Sequence, residues 1–326
     1  MRQITARRES WPVRGVFRIS RSSHAEITVI VVEIQEGSTL GRGECRPYGR
    51  YGETPEGVMG AIEAITPQLA AGLDRDGLAD HLPPGAARNA IDCALWDLAA
   101  KRNGQPVWEL AGLAPPRPLT TAFTLSVDTP ANLLRAATTH AWRPLLKLKL
   151  AGEGDLERVA AVRAAAPRAH LIVDANEAWS RGDYERLVPE LARLGVELLE
   201  QPFAAGSDQW LATLPRPLAV CADESCHDGR DLVRLRGLYD TVNIKLDKAG
   251  GLTEALRMRV LAEELGFSVM VGCMLATSLA MAPAFFVAQG ARYTDLDGPL
   301  LLAMDRQAGM RFEGSRIFPP DRALWG

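Results

Sequence analysis

From residue 119 to residue 296 the chain repeats one pattern: a short apolar run, then a stretch with apolar residues at helical spacing. The runs start at residues 119 (LTTAFTL), 145 (LLKLKL), 170 (HLIVD), 196 (VELLE), 218 (LAVCAD), 241 (TVNIKL), 267 (FSVMVG) and 292 (RYTDL). They follow one another at intervals of roughly 22 to 26 residues. Segments 156–166, 184–194 and 253–265 between them carry the helical spacing. Alternation of this kind predicts parallel strands joined by right-handed crossovers. Eight such strands predict an α/β chain closed into a (β/α)8 barrel of TIM type. An open doubly wound sheet is the alternative, weakened because no G-x-G-x-x-G follows an early strand.

The first ~110 residues have a different pattern, that of a small α+β unit. Residues 27–34 (ITVIVVEI) are β-branched and strand-like, Gly37 is a turn signal, and residues 41–45 begin or end a further strand. Residues 46–55 are loop by composition. Thr54 and Pro55 then suit the cap and first position of a helix. A second helix is predicted over residues 86–102, ending at Gly104. Residues 115–118 (PPRP) read as a linker.

Polar residues interrupt the apolar runs at one recurring place, the strand end. Lys147 and Lys149 fall two apart in the second run and so share a face. Asp174 ends the third run, Glu200 the fourth and Asp223 the fifth; Lys245 lies on the sixth, and Asp295 and Asp297 on the eighth. Each alone reads equally as a surface charge; Asp174 and Asp223 also suit helix N-caps, and 145–150 an edge strand with two solvated lysines. In a barrel, however, these ends share the mouth where active sites form. Three carboxylates from adjacent strands, without His or Cys nearby, make a hard oxygen site that favours Mg²⁺ over zinc or copper. Asn176 is either a loop residue or a group that orients a ligand from behind. Glu224 is expected to turn away from the mouth or to pair with a rim lysine.

Strands two and six of an eight-strand ring are diametrically opposed, so Lys149 and Lys245 face each other. A substrate carboxylate on the metal has its α-carbon flanked by two amines. One amine removes the α-proton and the other returns a proton to the opposite face, with the enediolate stabilised by the metal charge. That is 1,1-proton transfer. The charge on Lys147 is expected to lower the pKa of its neighbour Lys149.

Composition narrows the partners. The 326 residues are 47% hydrophobic and 24% charged, with net charge −3 and pI about 6.0. Nothing in this suggests a nucleic-acid or anionic-membrane footprint, and no apolar run approaches the ~18 residues of a membrane span. Five scattered cysteines form no C-x-x-C pair. The first residues carry charge but no apolar core of a signal peptide. The expectation is a cytoplasmic enzyme with a small-molecule substrate, as a monomer or homo-oligomer.

The motifs resemble the enolase superfamily in its muconate lactonizing enzyme subgroup: YGET at 51–54, ARNAIDCALWD at 87–97, KLK at 147–149, DAN at 174–176, EQP at 200–202, DES at 223–225, NIK at 243–245 and KAGG at 248–251. The resemblance covers nearly the whole chain. It implies an α+β capping domain from residues 1–112, a modified barrel over 113–302, and a tail, 303–326, that returns to the cap. It implies metal ligands at Asp174, Glu200 and Asp223, with Asn176 and Glu224 behind them. It implies Lys149 as proton carrier, Lys147 beside it, and Lys245 on the opposite face; a lysine base with Mg²⁺ is the general pattern of the superfamily.

Within the subgroup, DLDGP at 295–299 resembles the D-x-D motif of the dipeptide epimerases, which implies that Asp295 and Asp297 hold an α-ammonium group. Two inward carboxylates away from the metal suit a cation in any case. Residues 271–277 resemble those enzymes' seventh-strand loop, which implies substrate contacts from Cys273, Met274 and Leu275, and from Thr124 on strand one. Ala276 departs from the acidic residue that many relatives carry there. A basic loop at 14–23 holds three arginines, of which Arg21 best matches the arginine that takes a glutamate side chain. The resemblance thus implies epimerisation of an L-Ala-D/L-Glu type dipeptide in murein peptide recycling. Alternatives are another dipeptide specificity, a lyase or cycloisomerase resembling o-succinylbenzoate synthase, and a non-catalytic metal-binding barrel.

Overall fold

The computed structural model describes residues 2–326. A long hairpin, β1 (Gln3–Ile19) and β2 (Ser22–Glu36), is extended by β3 (Thr39–Cys45) into a three-stranded antiparallel sheet. The β-branched run in β2 is unbroken because both faces of the strand are buried. Ile30, Val32 and Ile34 pack with Val58 and Ile62 and with the helix Ala86–Asn103. Ile27, Val29 and Val31 on the other face join the core around the barrel. Helix Ala86–Asn103 runs close against β3: a Cβ at Gly43 would lie 2.0 Å from the Ala90 carbonyl oxygen.

Residues 14–23, expected as a basic loop, are the tip of the β1–β2 hairpin. Phe17, Arg18 and Ile19 pair with His24, Ser23 and Ser22, and the turn is confined to Ser20 and Arg21. The apolar–polar alternation of Phe17, Arg18 and Ile19 is a strand pattern that the three arginines obscure.

Beyond β4 (Leu119–Thr120) come the barrel strands, parallel and in sequence order: β5 (Phe123–Leu125), β6 (Leu145–Lys149), β7 (His170–Asp174), β8 (Val196–Glu200), β9 (Ala219–Ala222), β10 (Thr241–Ile244), β11 (Ser268–Gly272) and β12 (Tyr293–Asp295). A bridge between Thr121 and Thr294 brings the two edges together, so the ring is nearly closed. The run 119–125, expected as one strand, therefore divides. β4 pairs instead with β14 (Arg316–Ile317), which with β13 (Phe312–Glu313) forms a C-terminal hairpin. The division falls at Thr121, whose backbone N–H turns to the Ser315 carbonyl at 2.8 Å.

Period-two alternation layers the barrel interior. Leu145, Ile172, Leu198, Cys221, Met270 and Tyr293 fill its lower part. Two residues further along five of those strands the inward positions are Lys147, Asp174, Glu200, Asp223 and Asp295, all buried. The strand ends thus lift a charged layer onto an apolar floor.

Helix Ala86–Asn103 also grips the loop after β10, which carries Lys245. Arg88 donates to the carbonyls of Ala249 (2.6 Å) and Gly250 (3.1 Å), and Asn89 Nδ2 donates to Asp247 Oδ1 at 2.8 Å. The chain end closes the same seam: Trp325 Nε1 donates to the Arg42 and Cys93 carbonyls, and Gly326 N–H to Asp97. Among the described residues no helix is long and apolar enough to cross a membrane.

Burial pushes the Asp247 carboxyl up to about 7, although Asn89 and the Arg46 N–H donate to it. Against an unfolded value of about 3.9, the folded chain binds the extra proton between the two. That stabilisation is complete below about pH 4 and is lost as pH rises through about 7. Asp247→Asn keeps the accepting oxygen and removes the titration. It is expected to lose less stability than the wild type between about pH 5 and about pH 8, by roughly 1 kcal/mol or more. Urea unfolding at the two pH values checks this, and parallel losses in both proteins would contradict it.

Candidate active site

Strand register brings the acidic residues side by side: Lys149 is level with Asp174, and Asp174 with Glu200. Asp223 follows directly on β9. One carboxylate oxygen from each of Asp174, Glu200 and Asp223 lies within 4.8 Å of the others. Just past these strand ends three non-glycine residues have positive φ: Asn176 (44°), Glu177 (68°) and Gln201 (36°). Such conformations cost on the order of 1 kcal/mol each and persist only where surroundings hold them. Gln201 is held tightly. Its Nε2 donates to the Phe203 carbonyl, Ser225 Oγ and Tyr239 OH, while its Oε1 accepts from the N–H groups of Asp223 (2.9 Å) and Ser225 (3.1 Å). One side chain thereby fixes the loop after Glu200 to the loop that carries Asp223. Neither Asp174 nor Asp223 caps a helix; the helices that follow are capped by Ser180 and Asp228, since both acids still point into the barrel.

The lysines interleave with the acids. Lys147 Nζ lies 2.6 Å from Glu200 Oε2, 2.8 Å from Asp295 Oδ2 and 3.4 Å from Asp174 Oδ2. Lys149 Nζ donates to Asp174 Oδ2 at 2.6 Å. Lys245 Nζ donates to Asp223 Oδ2 at 2.5 Å, and Lys248 Nζ to Asp223 Oδ1 at 2.7 Å. Burial disfavours the Lys147 ammonium, but the charges of Asp295, Glu200 and Asp174 outweigh it and hold its pKa well above the usual value. Lys147 is therefore enclosed by carboxylates, which offset its burial beside Lys149. Burial works against Asp223 too, yet Lys245 and Lys248 hold it well below the usual carboxylate range. Of the three converging acids Glu200 is the least compensated: burial and the neighbouring Asp174 push it up to about 7.

This donor set fits a hard divalent cation. The three converging groups are all carboxylates, as Mg²⁺ prefers. Buried acceptors around them lack hydrogen-bond donors: Glu200 Oε2, which has only the ammonium contact, together with Asn176 Oδ1 and Glu224 Oε2. Leaving such atoms unpaired is costly, and a hydrated cation would satisfy them. Asn176 braces the site, its N–H donating to Asp174 Oδ1 at 2.9 Å and its Nδ2 to Asp174 and Glu224 at 3.2 Å. Glu224 does not turn away and meets no lysine. Its Oε1 accepts from Arg21 at 2.6 Å, because β9 ends at Ala222 and strand alternation no longer applies.

On the other side of the mouth Asp297 Oδ2 accepts the Thr124 N–H at 2.6 Å, and Asp295 Oδ1 is buried without a partner. Burial and the charge of Asp295 push Asp297 up to about 7. Cys273, Met274 and Leu275 line one pocket with Lys149, Lys245 and Asp223. Arg21 and Asn176 border it as well.

Several residues that shape the site carried no role in the sequence reading. Asn243 donates to Glu200 Oε1 at 2.8 Å; its place two before Lys245 on β10 already put it on the inner face. Lys248 was visible only within a motif. Gln201 has no local signal, since its importance lies in two loops meeting in space.

Residues 1–112 match the family described as mandelate racemase / muconate lactonizing enzyme, N-terminal domain, and residues 131–323 the one described as enolase C-terminal domain-like. An L-Ala-D/L-Glu epimerase from Escherichia coli is 46% identical over 96% of this chain and 98% of its own. An N-acetyl-D-glutamate racemase from a Pseudoalteromonas species is 43% identical over 91% of this chain and 95% of its own. An enolase family member from Agrobacterium tumefaciens with homology to dipeptide epimerases, solved with bound sodium and L-Ala-L-Glu, is 50% identical with a TM-score of 0.98 over 100% of both chains. With both parts matched and relatives this similar along almost its full length, the chain belongs to the mandelate racemase / muconate lactonizing enzyme family of the enolase superfamily.

Proposed function

We propose that this enzyme epimerises the C-terminal residue of an L-Ala-D/L-Glu type dipeptide by two-base proton transfer. The observation that carries the reading is one buried mouth holding two kinds of site. Lysines on opposite strands flank a three-carboxylate cluster, and the incompletely paired Asp295 and Asp297 lie beside it. An unpaired carboxylate oxygen in a dry site calls for a cation, and a dipeptide's α-ammonium supplies one at the required end.

Lys149 and Lys245 approach from strands half a barrel apart, so they reach opposite faces of an α-carbon set between them. A neutral amine on one face takes the α-proton, and an ammonium on the other returns one; the roles exchange in the reverse direction. Lys147, at the bottom of the mouth, lies where it can hold the substrate carboxylate. A Mg²⁺ ion on Asp174, Glu200 and Asp223 would offset the negative charge that builds when the α-proton leaves. Burial keeps water from competing for these contacts. The capping role of residues 1–112 with tail 303–326, and the barrel as residues 113–302, belong to the same proposal, supported by the Trp325 and Gly326 contacts. So does a cytoplasmic place in murein peptide metabolism; all five cysteines are free thiols, which suits a reducing compartment.

Incubating L-Ala-L-Glu and Mg²⁺ in D₂O should replace the glutamyl α-proton and form the second diastereomer, and chelation of the metal should stop both. Absence of exchange by proton NMR would refute the reading. Single-base variants test the geometry. Lys149→Ala and Lys245→Ala should both lose epimerisation, by about 10³-fold or more. Each should retain exchange of one diastereomer only, and not the same one. Exchange of the same diastereomer by both variants would show that the lysines do not face each other.

A second reading has one specific support, the 43% identical relative whose substrate is an N-acylated glutamate. Such a substrate lacks the ammonium group. Asp297→Asn should reduce kcat/KM for L-Ala-L-Glu by about 10-fold to 100-fold and leave N-acetylglutamate turnover within a few-fold. Wild-type turnover of N-acetylglutamate without exchange of L-Ala-L-Glu would favour the second reading.

A further inference from the structure

Arg21 is the cation that the sequence offers for a glutamate side chain, but both its terminal nitrogens are already engaged. Nη1 donates to the Asn176 carbonyl at 2.9 Å and lies 3.5 Å from Glu177, while Nη2 donates to Glu224 at 2.6 Å and to Tyr48 OH at 3.0 Å. A different guanidinium lines the same pocket, that of Arg46. Arg46 is only 7% exposed, yet no carboxylate lies within ion-pair distance of it among the described residues. Its one hydrogen bond from the guanidinium runs from Nη1 to the Leu275 carbonyl at 3.2 Å. Burial pushes its pKa down, the reverse of Arg21, whose partners outweigh burial and hold it above the usual value.

A guanidinium cannot shed its charge at ordinary pH, and a buried, unpaired charge is costly. Arg46 is nonetheless fixed in place. It directly follows β3, its backbone N–H donates to Asp247 Oδ1 at 3.1 Å, and its guanidinium is moored to Leu275. Both moorings are on barrel loops that border the reacting lysines, since Asp247 is two residues past Lys245 and Leu275 follows β11. A rigid fork with most of its donors unused, on the wall of the substrate pocket, is built to take a planar anion. We infer that Arg46, rather than Arg21, binds the γ-carboxylate of the glutamyl substrate. Arg21 is then a positioning residue, holding Glu224 and Asn176 against the three-carboxylate cluster. The inference rests on the glutamyl reading above.

The test measures D₂O exchange on L-Ala-L-Glu and on L-Ala-L-Met, which has no γ-carboxylate. Arg46→Met should lower kcat/KM for L-Ala-L-Glu by about 100-fold, mainly through KM, and leave L-Ala-L-Met within about 3-fold. Arg46→Lys keeps the charge without the fork and should show a smaller loss, about 10-fold, with the same selectivity; it also serves if the methionine variant does not fold. Arg21→Met should reduce both substrates alike and weaken Mg²⁺ binding. Equal losses on the two dipeptides in the Arg46 variants, or a glutamate-selective loss in Arg21→Met, would overturn the assignment. If the wild type exchanges L-Ala-L-Met but not L-Ala-L-Glu, the glutamyl reading itself fails and takes the Arg46 assignment with it.

Discussion

The structure depends on compensating charge that has been taken out of water. Lys147, Lys149, Lys245 and Lys248 are buried in the barrel mouth, and so are Asp174, Glu200, Asp223 and Asp295. None of these groups would be stable there alone. Together they make a lattice of contacts between 2.5 and 3.4 Å. The compensation is uneven. Asp223 is held by two lysines, whereas Glu200 is pushed up to about 7 and Asp295 keeps an oxygen unpaired. That unevenness is informative, because a site with spare acceptors at the metal cluster and at the β12 end still has room for two cationic partners.

Holding this cluster requires the strand ends to stay in register. The barrel does so with backbone ladders and with Asn243 on β10, and the loops do so with Gln201 and Asn176. The N-terminal sheet adds a second clamp. Helix Ala86–Asn103 is locked against β3 by the glycine approach at Gly43, and through Arg88 and Asn89 it grips the loop after Lys245. The same seam anchors Arg46. Packing between the sheet and the barrel is thus coupled to both Lys245 and the proposed side-chain contact of Arg46.

Much of this was legible in the chain. The period of strand and helix identified the barrel, and the single position at which acids and lysines recur identified its mouth. Lys147, Lys149, Asp174, Glu200, Asp223 and Lys245 could be placed together at that mouth because a strand's two-residue period assigns faces without reference to anything distant. What stayed hidden depends on contacts between remote segments. The strand at 119–125 divides because Thr121 pairs with a tail nearly 200 residues away. Residues 14–23 form a hairpin tip rather than a loop because their partner strand supplies the ladder. Arg21 and Arg46 look alike as letters; what separates them is Glu224 against the first guanidinium and, among the described residues, no carboxylate within ion-pair distance of the second.

The most direct test of the account is a crystal structure with Mg²⁺ and L-Ala-L-Glu bound to an inactive Lys149→Met or Lys245→Met enzyme. The account predicts the glutamyl α-carbon on the line between residues 149 and 245, with the remaining lysine Nζ about 3 to 4 Å from it. It predicts the substrate ammonium on Asp295 and Asp297, and the metal on Asp174, Glu200 and Asp223. An α-carbon displaced from that line, or an ammonium group away from β12, would contradict it.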